Sequence, residues 1–250
     1  ATVFQQDGWL VSARRALAFV HGNLWRDGRL LATCRDGHAH LNAYLDDHAY
    51  LLGSLVEMLQ ADFRTEDLAW AEEIADLLLG QFEDAIGGGF YFTSHDHEAL
   101  LHRAKTGHEN ATPSGNGAAA LALQRLGHIT GETRYLDAAE RALRIFYPQM
   151  EAHPGGFATL AMALDESLKP PGLVVLRGAK SATRQWQRGL RGKHFSRMLL
   201  LPIGSETGHL PPVLDKAVGD PVNAWVCYGV KCLPPISQLT ELENMLVTPV

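Results

Sequence analysis

The chain has 250 residues, 46% of them hydrophobic and 20% charged, an ordinary globular balance for one large domain or one domain with an appendage. A formal charge of −6 with no basic face argues against a nucleic-acid partner, and no apolar run is long enough to span a bilayer. The start, ATVFQQDGWL, lacks the basic and apolar regions of a signal peptide and an initiator Met, the pattern of a fragment or processed product; three cysteines, an odd count, fit a reducing, cytoplasmic compartment.

Residues 8–24 predict an amphipathic helix, with Trp9, Ala13, Ala16, Leu17, Val20 and Leu24 at helical spacing and Arg14 and Arg15 opposite. GRLLATCRDG is a short extended piece bounded by glycines. AYLDDHAYLLGSLVEMLQADF is a second helix, apolar around most of its circumference and so buried on more than one side. A third spans residues 65–82, with Thr65 as N-cap and Glu66 and Asp67 in its first turn. IGGGFYFTS is a glycine-rich turn into an aromatic extended stretch.

The fourth helix is expected to begin at Pro113, capped by Thr112, since proline suits the first helical position. The fifth runs over residues 132–147 with a buried stripe of Tyr135, Ala139, Ala142, Leu143 and Phe146. Asp137 with Arg141, and Glu140 with Arg144, are its outer ion pairs. The sixth covers residues 156–166, before Lys169-Pro170-Pro171. Short loops between helices of this length make antiparallel hairpins, without a strict repeat. After residue 170 the texture changes. GLVVLRG and SRMLLLPIG predict strands, SATRQWQRGL a helix, and AWVCYGVKCLPPISQLTELENML extended chain ending in a helix.

At AYLDDHAYLL, GGGFYFT, RAKTGHENATPSGN and AWVCYGVKCLPP the order and wording resemble one known family over nearly the whole chain. This is the carboxy-terminal part of the large thioredoxin-domain proteins typified by bacterial YyaL and the animal spermatogenesis-associated thioredoxin-like proteins. The resemblance implies a mainly α fold, a segment of an (α/α) toroid of helical hairpins with a small α/β C-terminal appendage. Residues 1–170 then form half of a toroid like that of the six-hairpin glycosidases and N-acylglucosamine epimerases, and residues 171–250 the appendage. It also implies two partners, the other half of the toroid and an amino-terminal thioredoxin-like domain. The family has no established biochemical activity, so sugar chemistry enters by analogy of fold. The chain departs from the family pattern at Glu109-Asn110, where Asp-Gly is usual, at Gly117, where Ser is frequent, and at His48, where Tyr is usual.

Two polar clusters precede buried helices. Asp46 and Asp47 complement the dipole of the second helix, but neighbours point about 100° apart, so at least one is expected toward the interior. Tyr44 beside them suits stacking on a polyol. Arg103, Lys105 and Glu109 approach the fourth helix, and Asn116 sits in its first turn. Two cations, an acid and a carboxamide at a helix N-terminus suit an anionic or hydroxyl-rich ligand, although a solvated loop would look similar. Ser114 is read as serving the helix start. Tyr91 alternates away from Phe90 and Phe92 and is expected to line the pocket. As like ends of alternate helices converge in a toroid, the two clusters should share one face, with Asp46 or Asp47 near Arg103.

The glycines at 87–89 lack the phosphate-loop pattern, and His38-Ala39-His40 and His95-Asp96-His97 are read as solvated pairs rather than metal ligands. Cys227 and Cys232 have neither redox nor zinc spacing and are read as packed thiols, a reversible disulfide being the alternative. The expected function is thus a carbohydrate-like pocket without metal or cofactor. Asp46, Asp47 and Glu109 are its acids, for sugar epimerisation or glycosidic cleavage. Tyr44, Tyr91, Arg103, Lys105 and Asn116 are its ligand contacts. The alternative is a non-catalytic scaffold that presents clients to the thioredoxin-like domain.

Overall fold

The structure is a computed structural model that describes residues 4, 6–98, 100–190, 195 and 197–247. Helix α1 (Asp7–Asn23) leads into an antiparallel meander of β1 (Trp25–Arg26), β2 (Arg29–Arg35) and β3 (His38–Asn42). Its two turns are Asp27-Gly28 and Asp36-Gly37, all four residues with positive φ, the conformation that two-residue hairpins require.

The body is built from α2 (Leu45–Ala61), α3 (Thr65–Leu77, closing in a wide turn at Leu78–Phe82), α4 (Gly115–Thr130), α5 (Thr133–Ala152) and α6 (Ala158–Leu168). Helix α4 packs against α2, α5 and α6. Its start lies at the start of α2, where a Cβ on Gly115 would meet the Leu45 side chain, and Arg125 near its end bonds Glu57 of α2. It meets α6 in the same sense, with Gly117 against Thr159, Gln124 against Ala163 and Arg125 against Glu166. Helices α2, α4 and α6 therefore run parallel and open on one face. Helix α5 returns antiparallel to α4, with Leu136 beside Gly127.

Burial follows the apolar pattern. Leu52, Leu55 and Leu59 of α2 are fully buried, each stabilising by about 1.5–3 kcal/mol, and the expected stripe of α5 is buried throughout. Boundaries differ in detail. Helix α4 begins at Gly115 rather than Pro113, because the Ser114 hydroxyl, not Thr112, accepts from the Gly117 N–H at 3.0 Å. Arg64, not Thr65, is the N-cap of α3, without a side-chain bond. Arg141 pairs with Glu83 at 2.6 Å instead of Asp137, whereas Arg144 and Glu140 pair as expected.

Helix gives way to sheet between Leu168 and Gly172. Strands β4 (Gly172–Gly178), β5 (Met198–Gly204), β6 (Val222–Tyr228) and β7 (Lys231–Cys232) are ordered β5-β4-β6-β7, with α7 (Lys180–Leu190) and α8 (Leu239–Val247). The β4/β5 pair is parallel and the β4/β6 and β6/β7 pairs antiparallel; Ser196, in the string expected as a strand, lies outside the described residues. All of β4 is buried, as in a strand covered on both faces. Leu173 and Val175 join the core of the helical body, while Val174 and Leu176 join a second cluster with Leu190 and Leu242. Helix α7 is tied to the body where Gln187 donates to the Gln60 carbonyl at 2.7 Å and Arg184 bonds Asp62 at 3.2 Å.

Candidate functional site

The N-termini of α2, α4 and α6 meet on one face, and each has a carboxylate beside it. At α2, Asp47 accepts from the Tyr44 N–H at 2.8 Å. At α4, Asp46 is hydrogen-bonded by the Gly115 N–H. At α6, Glu109 accepts from the Thr159 N–H at 2.8 Å. Negative charge is favoured there because unpaired N–H groups and the helix dipoles point outward. Burial, reinforced by the charge of Asp47, nevertheless raises the pKa of Asp46, against the lowering effect of the Gly115 bond. Beneath it, burial lowers the pKa of His48, whose Nδ1 is bonded to the Tyr44 carbonyl at 2.8 Å.

Residues 83–98 and 100–107 cross this face. Asn116, 1% exposed, fixes it: Oδ1 accepts from the Phe90 N–H at 2.7 Å, and Nδ2 donates to the carbonyls of Phe90 and Thr106, each at 2.9 Å. The Phe92 carbonyl in turn receives the Leu45 N–H at 3.0 Å. Tyr44 stacks on Phe92, ring centroids 4.8 Å apart, with His97 on another side. On the opposite side of the chain Tyr91 donates to Asp84 at 2.9 Å, Lys105 bonds Asp84 at 2.8 Å, and the Arg103 guanidinium lies 4.1 Å from the Tyr91 ring centre. Lys105, then the Gly87 N–H and the Tyr91 hydroxyl, hold the Asp84 carboxyl well below its ordinary range. Arg103 also donates to the Thr93 carbonyl. Four side-chain atoms of this region are buried without a hydrogen-bond partner: Gln81 Oε1, Thr93 Oγ1, His97 Nδ1 and Arg103 Nε.

The expected residues thus form two groups around one crossing segment. Tyr44, Asp46, Asp47 and Glu109 lie at helix starts, Tyr91 and Lys105 gather on Asp84, and Arg103 lies over the Tyr91 ring. Asn116 bonds only to main chain. No ion pair between Asp46 or Asp47 and Arg103 forms among the described residues; Asp84 takes the role of the acid, with Lys105 as its cation. Sequence reasoning passed over Asp84 because it stands in a turn preceding the glycines, with nothing in its spacing to tie it to Lys105. No group of three or more His, Cys, Asp or Glu among the described residues is placed to hold a metal ion. No helix among them is long and apolar enough to cross a membrane.

A cavity of about 800 Å³ runs along the seam of α2 and α4 beneath α1. Trp9, Ala13 and Leu17 form its roof, Gly53 and Ala122 part of its floor, and Arg125 stands at its far end. None of the expected site residues lines it. Arg125 is bound by Glu166 at 2.6 Å and by Glu57 at 3.0 Å, bonds that raise its pKa.

No family model matches the chain. It is 26% identical to spermatogenesis-associated protein 20 of Homo sapiens, covering 98% of this chain and 34% of that protein. It is 25% identical to the protein of the same name from Rattus norvegicus, covering 88% and 30% respectively. An uncharacterized protein of Caenorhabditis elegans is 23% identical over 84% of this chain and 29% of its own. The chain spans about a third of the length of the curated relatives it matches. Among solved structures, a cellobiose 2-epimerase from Spirochaeta thermophila superposes with a TM-score of 0.46 at 24% identity, over 56% of this chain and 37% of that one.

Proposed function

We propose, for a chain that belongs to the family of spermatogenesis-associated protein 20, that the shared N-terminal face of α2, α4 and α6 binds a sugar or related polyol. The observation that carries this reading is Asp46. It is a carboxyl made readier to hold a proton, set between two helix starts and next to a carboxylate, Asp47, that accepts a hydrogen bond. An acid whose pKa burial raises, beside a carboxylate that accepts a hydrogen bond, is the equipment of acid/base chemistry on a sugar, by epimerisation or glycosidic cleavage. Glu109 offers a third acid across α4. Tyr91, Arg103 and Lys105 supply donors and an aromatic face, and Tyr44 a second one. Asn116 acts by holding the crossing segment in place. The unpartnered Thr93 and Arg103 atoms support a polar occupant, because buried polar groups are ordinarily hydrogen-bonded.

In this reading α2, α4 and α6 are inner helices of an (α/α) toroid. The remaining hairpins and a thioredoxin-like domain are the partners, in a cytoplasmic protein. The test is a glycan and sugar-phosphate binding screen on the full-length protein, by calorimetry, with Asp46→Asn and Arg103→Ala. A sugar ligand whose affinity falls in Arg103→Ala, and whose turnover falls in Asp46→Asn, is the expected result. Absence of any sugar ligand, or unchanged binding in both variants, overturns it. The apolar cavity beneath α1 favours a second reading, a scaffold that presents clients to the thioredoxin-like domain. That reading predicts peptide rather than sugar binding in the same experiment.

A further inference from the structure

We infer that the β6–β7 hairpin is a thiol–disulfide exchange site whose partner is a dithiol protein of the Cys-x-x-Cys type. Cys227 and Cys232 stand directly opposite each other on the antiparallel strands and are disulfide-bonded, which corrects the expectation of packed thiols. The two ends differ in access. Cys227 is 2% exposed and belongs to the core, whereas Cys232 is exposed on a two-residue strand at the edge of the sheet. Around it Tyr228, Val230 and Leu233 are exposed, Val230 completely. Single exposed apolar residues mean little, but three on one hairpin beside an exposed cysteine form a contact surface for another protein. An edge strand also offers backbone pairing to an incoming extended segment.

Access fixes the direction of exchange. A thiolate of the donor attacks Cys232 Sγ, and the bond to Cys227 breaks. Cys227 leaves as a thiolate and takes up a proton in its buried site. The second donor thiol, deprotonated, then attacks the donor sulfur of the mixed disulfide and releases Cys232, which is protonated in turn. Two electrons and two protons pass to the cysteine pair, and the donor becomes the disulfide. The backbone bond from the Leu233 N–H to the Val226 carbonyl, 2.8 Å, and the Ala224–Ile236 bridge survive, so loosening is confined to the hairpin tip. Cys34, half-buried and free, is the internal control.

The experiment uses the oxidised full chain and a Cys-x-x-Cys protein whose second cysteine is serine, with peptide mass mapping of the trapped adduct. The adduct is expected on Cys232. With both donor thiols intact, reduction should be about tenfold faster than by dithiothreitol at equal thiol concentration, a difference made by docking rather than by thiol chemistry. Val230→Asp should slow the reaction with the protein and leave that with dithiothreitol unchanged. The inference is overturned by an adduct on Cys227, by equal rates with the two donors, or by alkylation of Cys227 and Cys232 before any reductant is added.

Discussion

Burial, and then the neighbouring Asp47 charge, make Asp46 hold its proton to a higher pH in the folded chain than in the unfolded one. The stability it contributes is complete below the ordinary carboxylate pKa of about 3.8 and is lost as pH rises through its folded value. At neutral pH, Asp46→Asn should therefore leave the melting temperature unchanged or raise it, since Asn Oδ1 can still accept from the Gly115 N–H. Asp46→Ala should melt lower than Asp46→Asn, by about 1 kcal/mol for the lost hydrogen bond. Thermal melts of the three proteins between pH 4 and pH 7 check this, and an Asn variant that melts well below the parent at neutral pH refutes it. Asp84 has the opposite sign. Its pKa is lowered, by Lys105 first, so its stabilisation is present above the unfolded value and lost as pH falls. Lys105→Met should flatten the loss of stability below about pH 4, because the folded pKa then rises toward the unfolded one while the Gly87 and Tyr91 bonds remain. Urea titrations at acidic and neutral pH would read the change in slope.

At the scale of elements, Asn116 is the link between α4 and the segment that crosses its N-terminus. Its three hydrogen bonds all satisfy main-chain groups that no strand serves. Asn116→Ala should destabilise the protein by about 2–4 kcal/mol, because a buried N–H and two carbonyls lose their partners together. Asn116→Asp should be no better, since it sets a carboxylate against two carbonyl oxygens. Denaturant unfolding gives the magnitudes, and a loss below about 1 kcal/mol would show that water replaces the amide. The same residue shows what was legible beforehand. Its position near the start of α4 could be read from glycines and capping residues, but not that its amide would bond backwards to Phe90, 26 positions earlier. Helix existence was legible throughout because apolar periodicity is local. Ends were less so, since Ser114 and Thr112 compete to cap and only packing decides between them. The meander of β1, β2 and β3 has its signal in two Asp-Gly pairs, and glycines taken merely as bounds of one extended piece leave that signal unused. The pairing of Cys227 with Cys232 depended on register: the turn at Tyr228 to Lys231 places the two opposite each other, and their spacing alone does not.

Over the whole molecule, one core joins the helical body to the sheet. Leu173, Val175, Leu201 and Ile203 pack with residues of the body, and Asp62 at the end of α2 is surrounded by Arg14, Arg64 and Arg184. Burial alone would raise the pKa of Asp62, but these guanidiniums lower it. Helix α1 is tied to this point through Arg14 with Asp62 and Asp67, yet none of its residues is buried. Trp9 and Phe19 remain about half exposed, Val11 more so, and the apolar cavity lies between α1 and the seam of α2 and α4. Apolar surface left in water costs roughly 25 cal/mol per Å², so this face gains by being covered. Expressed alone, the 250 residues should unfold in one transition, because the core is shared, yet bind a hydrophobic dye or self-associate through α1. Replacing Trp9 and Val11 together by Asp should abolish the dye signal and leave the unfolding midpoint within about 0.5 kcal/mol of the parent, as for surface positions. A monodisperse parent that binds no dye would show that α1 closes over the cavity in solution. Two separate unfolding transitions would show that the sheet and the helical body do not share a core.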